Sequence, residues 1–324
     1  MKKYFVMALA ALLPLAFVSC GSDSDSTPSP TTPTTPTLPK LDTSKAKMFE
    51  GIIAKDGTTD AQKKKTPDSG DIDPFGTITL HFPKIGGDPG KGKVLDLGGS
   101  ASKARKAIAM DVASNPWDFE WVIGQYTVEG NNYTIPGFGV IDISGGAANL
   151  KFTFTDGTTT NASATSVSYD AAYSLGDLAT WVCRRWKPTA TRIVIYETGS
   201  EKFSGQWDGC NLATIATNIK KTIGDFDDSE LQQLGNLRYI YFSPAKRVQF
   251  KFEGTTLTIK SGAWNLKPDG AFTWKLEGNA GNSIINAEGT GGVAFNGNEC
   301  GVTMSVIANG GKYTGNVMFR LTPY

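Results

Sequence analysis

Apolar and polar residues alternate through the C-terminal half of the chain with the two-residue period of β-strands. Val248, Phe250 and Phe252 alternate with polar residues, and Phe272 and Trp274 repeat the pattern after a Pro-Asp-Gly turn. Because alternate side chains of a strand point to opposite faces, each of these segments has one apolar face. A long series of such segments predicts an up-and-down antiparallel meander, and its closure into a barrel would remove exposed edges.

The region before this series also favours β-structure, in shorter pieces. Residues 76–82 alternate, and further strand candidates recur between residues 120 and 169, separated by glycine-containing turns. Residues 100–113 are the one helical candidate of this region, and Asn115-Pro116 would end it.

A second unit is predicted to begin near residue 173. Residues 179–186 and 192–196 are predicted strands, and residues 211–222 form a predicted helix because apolar residues recur at every third or fourth position. Asp227 and Glu230 then resemble the capping box of a short helix.

The predicted fold class is therefore mainly β. An N-terminal β-rich (α+β) domain at residues 44–172 precedes an antiparallel β-barrel domain with a helical insert at residues 173–324. The 37 glycines agree with many short strands joined by tight turns. The pattern leaves open whether the two halves share one continuous sheet.

The first residues have the organisation of a bacterial lipoprotein export signal, which we assign to residues 1–19. A basic start is followed by an apolar stretch from Tyr4 to Val18, and Ser19 precedes Cys20. The apolar stretch is too short to span a bilayer as a helix. Cys20 is the predicted site of lipidation.

Residues 20–43 are predicted to be a disordered tether. Ser and Asp alternate directly after Cys20, and the following residues are almost wholly Thr, Pro and Ser. Proline-rich chains run extended at about 3.1 Å per residue, so the tether would hold the folded part roughly 60–75 Å from a membrane.

Charge and cysteine content exclude several function classes. The formal net charge is +1, which gives no reason to expect nucleic acid as a partner. With Cys20 used for lipid, Cys183, Cys210 and Cys300 remain, which fits either one disulfide and one buried thiol or three reduced thiols. The pair Cys183–Cys210 is the best candidate if a disulfide forms in an oxidising compartment. His81 is the single histidine, so neither a zinc site nor a serine–histidine catalytic set is expected, and no cofactor is implied.

Two sets of residues carry a family resemblance. The leader, with acidic residues after Cys20, resembles the surface-export signal of Bacteroidota lipoproteins. The chain from about Leu175 is similar to the lipocalin-like (calycin) domains of lipoproteins in that group, with residues 176–181 as the opening strand. The resemblance implies that Trp181 packs across the closed end of the barrel and that Arg320 lies over it. It implies a fold more than an activity.

Aromatic residues supply the candidate ligand contacts. Trp117, Phe119 and Trp121 would share one face of a strand, where they could stack on sugar rings or form the core of the N-terminal sheet. Trp207 precedes the helical insert and could cover a barrel mouth, or simply lie in a strand-to-helix connection. The glycine-rich stretch at residues 87–94 departs from a phosphate-binding loop at Val94 and is interpreted as a surface loop.

These observations predict a lipid-anchored cell-envelope protein at the outer membrane, displayed at the cell surface. Its expected role is non-catalytic: binding of a small hydrophobic ligand or of a partner, or a structural part of the envelope. The alternative is a glycan-binding accessory lipoprotein of a polysaccharide-uptake system. An enzyme is not expected, although spatial carboxylate pairs are invisible in a sequence.

Overall fold

The computed structural model describes residues 35–82, 94–97, 121–167, 169, 175–229, 231–233, 235–253, 258–280, 283–308 and 311–324. Within these ranges the protein is mainly β, with two separate sheets and three helices: α1 (Asp60–Lys65), α2 (Asp177–Val182) and α3 (Leu212–Thr222). The predicted β-rich two-part fold class is confirmed. The predicted helix at residues 100–113 lies outside the described residues.

The first sheet is built from ten strands of the N-terminal half. In sequence these are β1 (Lys47–Ala54), β2 (Ser69–Ile72), β3 (Thr77–His81), β4 (Val94–Asp96), β5 (Trp121–Gln125), β6 (Thr127–Glu129), β7 (Asn132–Ile135), β8 (Gly139–Asp142), β9 (Leu150–Phe154) and β10 (Thr159–Val167). Their spatial order is β4-β5-β3-β2-β1-β10-β9-β8-β7-β6, and only the β4–β5 pair among them is parallel. β6 is one edge strand of this sheet, and β5 is the neighbour of the other edge strand, β4. Only Tyr126 lies between β5 and β6 along the chain, so the two edges are close together and the sheet is nearly closed.

The second sheet closes into an antiparallel barrel. Its strands are β11 (Arg185–Glu197), β12 (Ser200–Asp208), β13 (Leu237–Phe242), β14 (Arg247–Phe252), β15 (Thr258–Leu266), β16 (Ala271–Ala280), β17 (Ser283–Asn296), β18 (Glu299–Ala308) and β19 (Tyr313–Pro323). From β13 to β19 each strand pairs with the next along the chain. The long strand β11 pairs with both β13 and β19, which closes the barrel, and β12 pairs with β11 at the end of the strand order. The meander predicted from the alternation is thereby observed.

Close approach of neighbouring backbones occurs in the barrel wall where the sequence has glycine. A Cβ atom built on Gly291 of β17 would lie 1.7 Å from the Thr303 carbonyl oxygen of β18. A Cβ atom on Gly315 of β19 would lie 2.3 Å from the Val194 carbonyl oxygen of β11. A strand with glycine at such a position can lie close to its partner and bend tightly, as the wall of a small barrel requires.

The segment predicted as the opening strand of the barrel is helical. Residues 177–182 form α2, and the chain becomes extended only at Arg185. Asp177 in the first turn stabilises the helix N-terminus electrostatically, and Ala179 and Val182 are buried on one side. The indole N–H of Trp186 donates to the Val182 carbonyl oxygen at 2.8 Å, which anchors the helix to the barrel.

Helix α3 agrees with its sequence signals. The Asn211 side chain accepts a hydrogen bond from the Thr214 N–H at 2.9 Å, which satisfies one of the free donors of the first turn. Ile215 and Ile219 are buried against the barrel core. The apolar periodicity therefore marks the face that packs on the barrel.

Candidate functional site

The two halves meet through a buried polar contact, which is the main concentration of charged groups inside the described protein. On β13, Ile240 and Phe242 point into the barrel, whereas Tyr239 and Tyr241 lie on its outer face and are nevertheless fully buried. Tyr241 donates to Oδ2 of Asp73 at 2.9 Å, and the Ser243 hydroxyl lies 3.3 Å from Oδ2 of Asp71. The contact therefore joins the outer wall of the barrel to the turn-proximal end of β2.

Asp73 has the donors that an ionised carboxylate requires. Its Oδ1 accepts from the backbone N–H groups of Phe75 at 2.8 Å and of Thr77 at 2.9 Å, and its Oδ2 accepts from Tyr241. Burial raises the pKa of Asp73, and these hydrogen bonds act against that shift. Asp73 therefore closes the β2–β3 turn and at the same time receives a hydrogen bond from the barrel.

Asp71 is buried with far weaker hydrogen bonding. It is 1% exposed, the Ser243 hydroxyl lies 3.3 Å from its Oδ2, and no hydrogen-bond partner within the described residues reaches Oδ1. The side chains of Ser243 and Thr79 both favour the carboxylate, because each lowers the pKa of Asp71. Burial raises the pKa of Asp71 to about 6, and the nearby carboxylate of Asp73 adds to the shift, while the Arg247 guanidinium lowers it. Burial therefore favours the neutral acid of Asp71 over the carboxylate.

Other polar groups surround these two carboxyl groups. Arg185 lies over the Tyr239 ring, 4.9 Å from its centroid, and its charge lowers the pKa of Asp73. Gln249, the cross-strand neighbour of Tyr241, is 2% exposed, and neither amide atom has a hydrogen-bond partner within the described ranges. A buried amide without partners carries a desolvation cost, so this contact is only partly satisfied.

Aromatic side chains pack together in the interior of the second barrel. Phe242 packs edge-on against Trp264 and Phe272, with ring centroids 5.7 Å and 5.8 Å apart. Trp274 and Phe319 are buried in the same cluster, as are Trp186 and Phe295 at 5.9 Å from each other. Trp264, Phe272, Trp274 and Phe319 therefore belong to one buried cluster inside the barrel.

The last part of the predicted tether lies against one end of this barrel. The Trp181 indole N–H donates to the Leu38 carbonyl oxygen at 3.1 Å, the Leu41 N–H donates to the Thr180 carbonyl oxygen at 2.8 Å, and Leu41 is buried. Arg184 donates to the Pro39 carbonyl oxygen. Leu38 and Leu41 are apolar residues within the otherwise polar tether. Because they pack on the barrel, the ordered chain begins before the predicted boundary at residue 43.

Trp181 lies near the barrel end, as the resemblance implied, but with a different cation. Its ring centroid is 6.1 Å from that of Phe295, inside the barrel core. Lys40, from the tether, lies 4.5 Å from the centroid of Trp181, and its ammonium group also pairs with Asp177 at 3.0 Å. Arg320, which the resemblance placed over Trp181, is exposed on β19. The docked tether segment therefore brings Lys40 to this ring.

Trp207 belongs to a stacked aromatic pair on β12. Its ring lies 6.1 Å from that of Phe203, at an interplanar angle of 16°, and both side chains are partly exposed. Gly205 lies between them, and a Cβ atom there would come within 2.5 Å of the Trp207 ring. Trp207 therefore covers the backbone of its own strand. Trp117 and Phe119 lie outside the described residues, and of Trp121 only the backbone, in β5, is described.

The disulfide predicted between Cys183 and Cys210 is absent from the structure, where Cys183, Cys210 and Cys300 are free, buried thiols. They belong to the apolar cluster of the second barrel, in which a thiol packs as a small apolar side chain. Burial raises the pKa of Cys210 to about 11, which disfavours the reactive thiolate.

His81 is partly buried at the end of β3 and pairs with Asp68. Among the described residues, no group of three or more His, Cys, Asp or Glu side chains is placed to hold a metal ion. In the same part of the chain, no helix is long and apolar enough to cross a membrane.

Comparison with known proteins places the chain in no family. No protein-family model matches it, and no curated protein matches it. One solved structure with similarity is a mutant of the vaccine antigen Transferrin Binding Protein B from Haemophilus parasuis Hp5, at 11% identity and a TM-score of 0.23. The match covers 62% of this chain and 42% of that one. A likeness of this degree assigns neither a family nor a function.

Sequence reasoning missed Asp71 and Asp73. The sequence shows only that these two acids flank Ile72 at strand spacing. Two carboxylates on one face of a strand are ordinarily solvated. Only the position of the barrel against that face turns them into an interface.

Proposed function

We propose that the protein is a lipid-anchored envelope protein, displayed at the cell surface, that binds a partner through the outside of a preformed two-part β head. The observation that supports the proposal most directly is the cluster of aromatic rings packed inside the second barrel. A small barrel packed with its own side chains leaves recognition to the outer faces and loops. The role is non-catalytic.

The docked tether supports a defined orientation of this head. Residues 37–41 lie at the barrel end that carries α2 and the β17–β18 turn, where the Thr37 hydroxyl donates to Asn298 at 2.9 Å. The β11–β12 turn is at the opposite end of β11. A chain anchored at Cys20 would therefore present the β11–β12 end away from the membrane, and a partner would meet that end first.

The anchor is tested by replacing Cys20 with alanine in the full-length chain. We expect the wild-type protein to incorporate labelled palmitate, to sediment with membranes and to be cut by protease added to whole cells. Cys20→Ala should lose the label and leave the membrane fraction, since the acylated residue is absent. Cys183→Ala is the matched control and should retain the label. A wild-type protein without label would contradict the proposal.

Glycan binding is the second candidate, and the stacked pair Phe203–Trp207 is the observation that favours it. The pair is partly exposed on β12, at the end of the strand order, and flat aromatic faces of this kind stack on sugar rings.

The glycan candidate is tested on the leader-free protein, which lacks the export signal at residues 1–19. The protein is run by electrophoresis through gels that contain a series of polysaccharides. One polysaccharide should retard the wild-type protein, and Trp207→Ala should weaken that retardation about tenfold because the stacking face is lost. Gln206→Ala, an exposed neighbour on the other face of β12, should bind as the wild type does. Equal retardation of both variants would exclude this site.

A further inference from the structure

Asp71 and Asp73 lie two residues apart on one face of the chain, yet their carboxyl groups accept very different sets of hydrogen bonds. Asp73 accepts three hydrogen bonds with donor–acceptor distances of 2.8–2.9 Å. Asp71 has one contact of 3.3 Å, and no partner within the described residues meets its Oδ1. Asp73 is equipped to remain ionised inside the interface, whereas Asp71 is suited to the neutral acid.

We propose that the contact between the two halves is a proton-controlled latch, in which Asp71 closes the contact as the neutral acid and loosens it as the carboxylate. The backbone N–H of Arg247 donates to the Ser243 hydroxyl oxygen at 3.4 Å, which orients that hydroxyl in the barrel wall. A protonated Asp71 can donate to the Ser243 hydroxyl oxygen, and Thr79 faces Asp71 directly across β2 and β3. Loss of the proton leaves a buried carboxylate with too few donors.

Several charged and titratable groups surround Asp71, and they come from both halves of the protein. Arg247 of β14 favours the carboxylate, and Asp73 disfavours it. The other titratable or charged groups that interact with the acid pair are Tyr126, Tyr169, Cys183, Arg184, Arg185 and Tyr241. Burial raises the pKa of Tyr169, Cys183 and Tyr241 well above their usual values, so none of these groups changes charge near neutral pH. The raised pKa of Asp71, about 6, lies nearer to neutral pH than the pKa values of these tyrosine and cysteine side chains.

The sign of the pH dependence follows from linkage. Burial raises the pKa of Asp71 from 3.8 to about 6, and the value returns toward 3.8 when the contact opens. The closed contact therefore holds the proton more tightly and is strongest below about pH 4. It weakens as the pH rises through about 6. Each pKa unit corresponds to a tenfold change, so opening becomes easier by on the order of 100-fold between pH 4 and pH 8.

Hydrogen–deuterium exchange of the leader-free protein between pH 4 and pH 8 tests the latch, after correction for the intrinsic pH dependence of exchange. Peptides from β2–β3 and β13–β14 should lose protection as the pH rises, by on the order of 100-fold at full effect, whereas the β17–β18 hairpin should not. Asp71→Asn, which mimics the neutral acid, should remove the pH dependence and keep wild-type protection at low pH. The exposed substitution Asp208→Asn is the control and should keep the wild-type profile.

A pH profile that persists in Asp71→Asn would overturn the latch, as would wild-type protection that is constant with pH. If Asp71→Asn does not fold, carbon NMR of labelled aspartate carboxyl groups in the wild type decides the matter. A buried carboxyl that titrates near pH 6, with shift changes on both sides of the contact, supports the latch. A titration midpoint for Asp71 below pH 4.5 refutes it.

Discussion

Replacing Phe272 by alanine should lower the free energy of unfolding by about 3–5 kcal/mol. Phe272 is 1% exposed and packs edge-on against Phe242 in the middle of the barrel interior. Truncation removes the transfer free energy of the ring and leaves a void that the surrounding rings can fill only in part. The loss should be measured by urea unfolding of the leader-free protein.

The same variant also tests whether the barrel is full. An apolar void inside a packed barrel should admit benzene or a similar small apolar probe, which would raise the melting temperature of Phe272→Ala but not that of the wild type. Val128→Ala is the control, because Val128 is 53% exposed on β6, and its substitution should change stability by less than about 0.5 kcal/mol. A wild-type protein already stabilised by the probe would mean that the barrel holds a ligand cavity.

Replacing Gly291 by alanine should destabilise the barrel by at least about 3 kcal/mol, or prevent its folding. The added Cβ atom would lie 1.7 Å from the Thr303 carbonyl oxygen and 3.2 Å from the Cα atom of Met304. Both obstacles are backbone atoms of the paired strand β18, so relief requires the two strands to move apart. Such movement breaks the ladder in the region where the barrel bends.

Gly224→Ala is the matched control for this prediction. Nothing lies within 4 Å of the Cβ position of Gly224, so its substitution should change stability by less than about 1 kcal/mol. The two variants are compared by circular dichroism and by thermal unfolding. Equal stability of Gly291→Ala and Gly224→Ala would contradict the close approach of β17 and β18.

The strands of the second barrel could be predicted because alternation is a local signal. Strands β14 and β16 follow the alternation around Val248–Phe252 and Phe272–Trp274. The helix α2 was predicted wrongly as a strand, because six residues are too few for a helical period to emerge. Its helical state depends on contacts with Trp186 and with the tether, which are tertiary.

The candidate sites were harder to predict, for a related reason. The sequence predicts that Trp207 covers a barrel mouth or lies in the connection to α3. In the structure its ring stacks on that of Phe203, with Gly205 between the two residues. Asp71 drew no attention because an acidic residue in a half-buried strand ordinarily faces solvent. Whether such a residue is functional depends on what covers it, and a neighbouring domain leaves no trace in the strand's own pattern.

By itself, the sequence determined which face of most strands is apolar and where α3 begins. These features depend on residues close together along the chain: alternate positions of a strand, or the Asn211 cap and the turn that follows it. Only the tertiary structure decided that the outer faces of β13 and β14 are buried, which makes Tyr241 and Gln249 part of an interface with Asp71 and Asp73. A period of two specifies two faces of a strand, and the half of the protein to which the strand does not belong decides whether the polar face meets water.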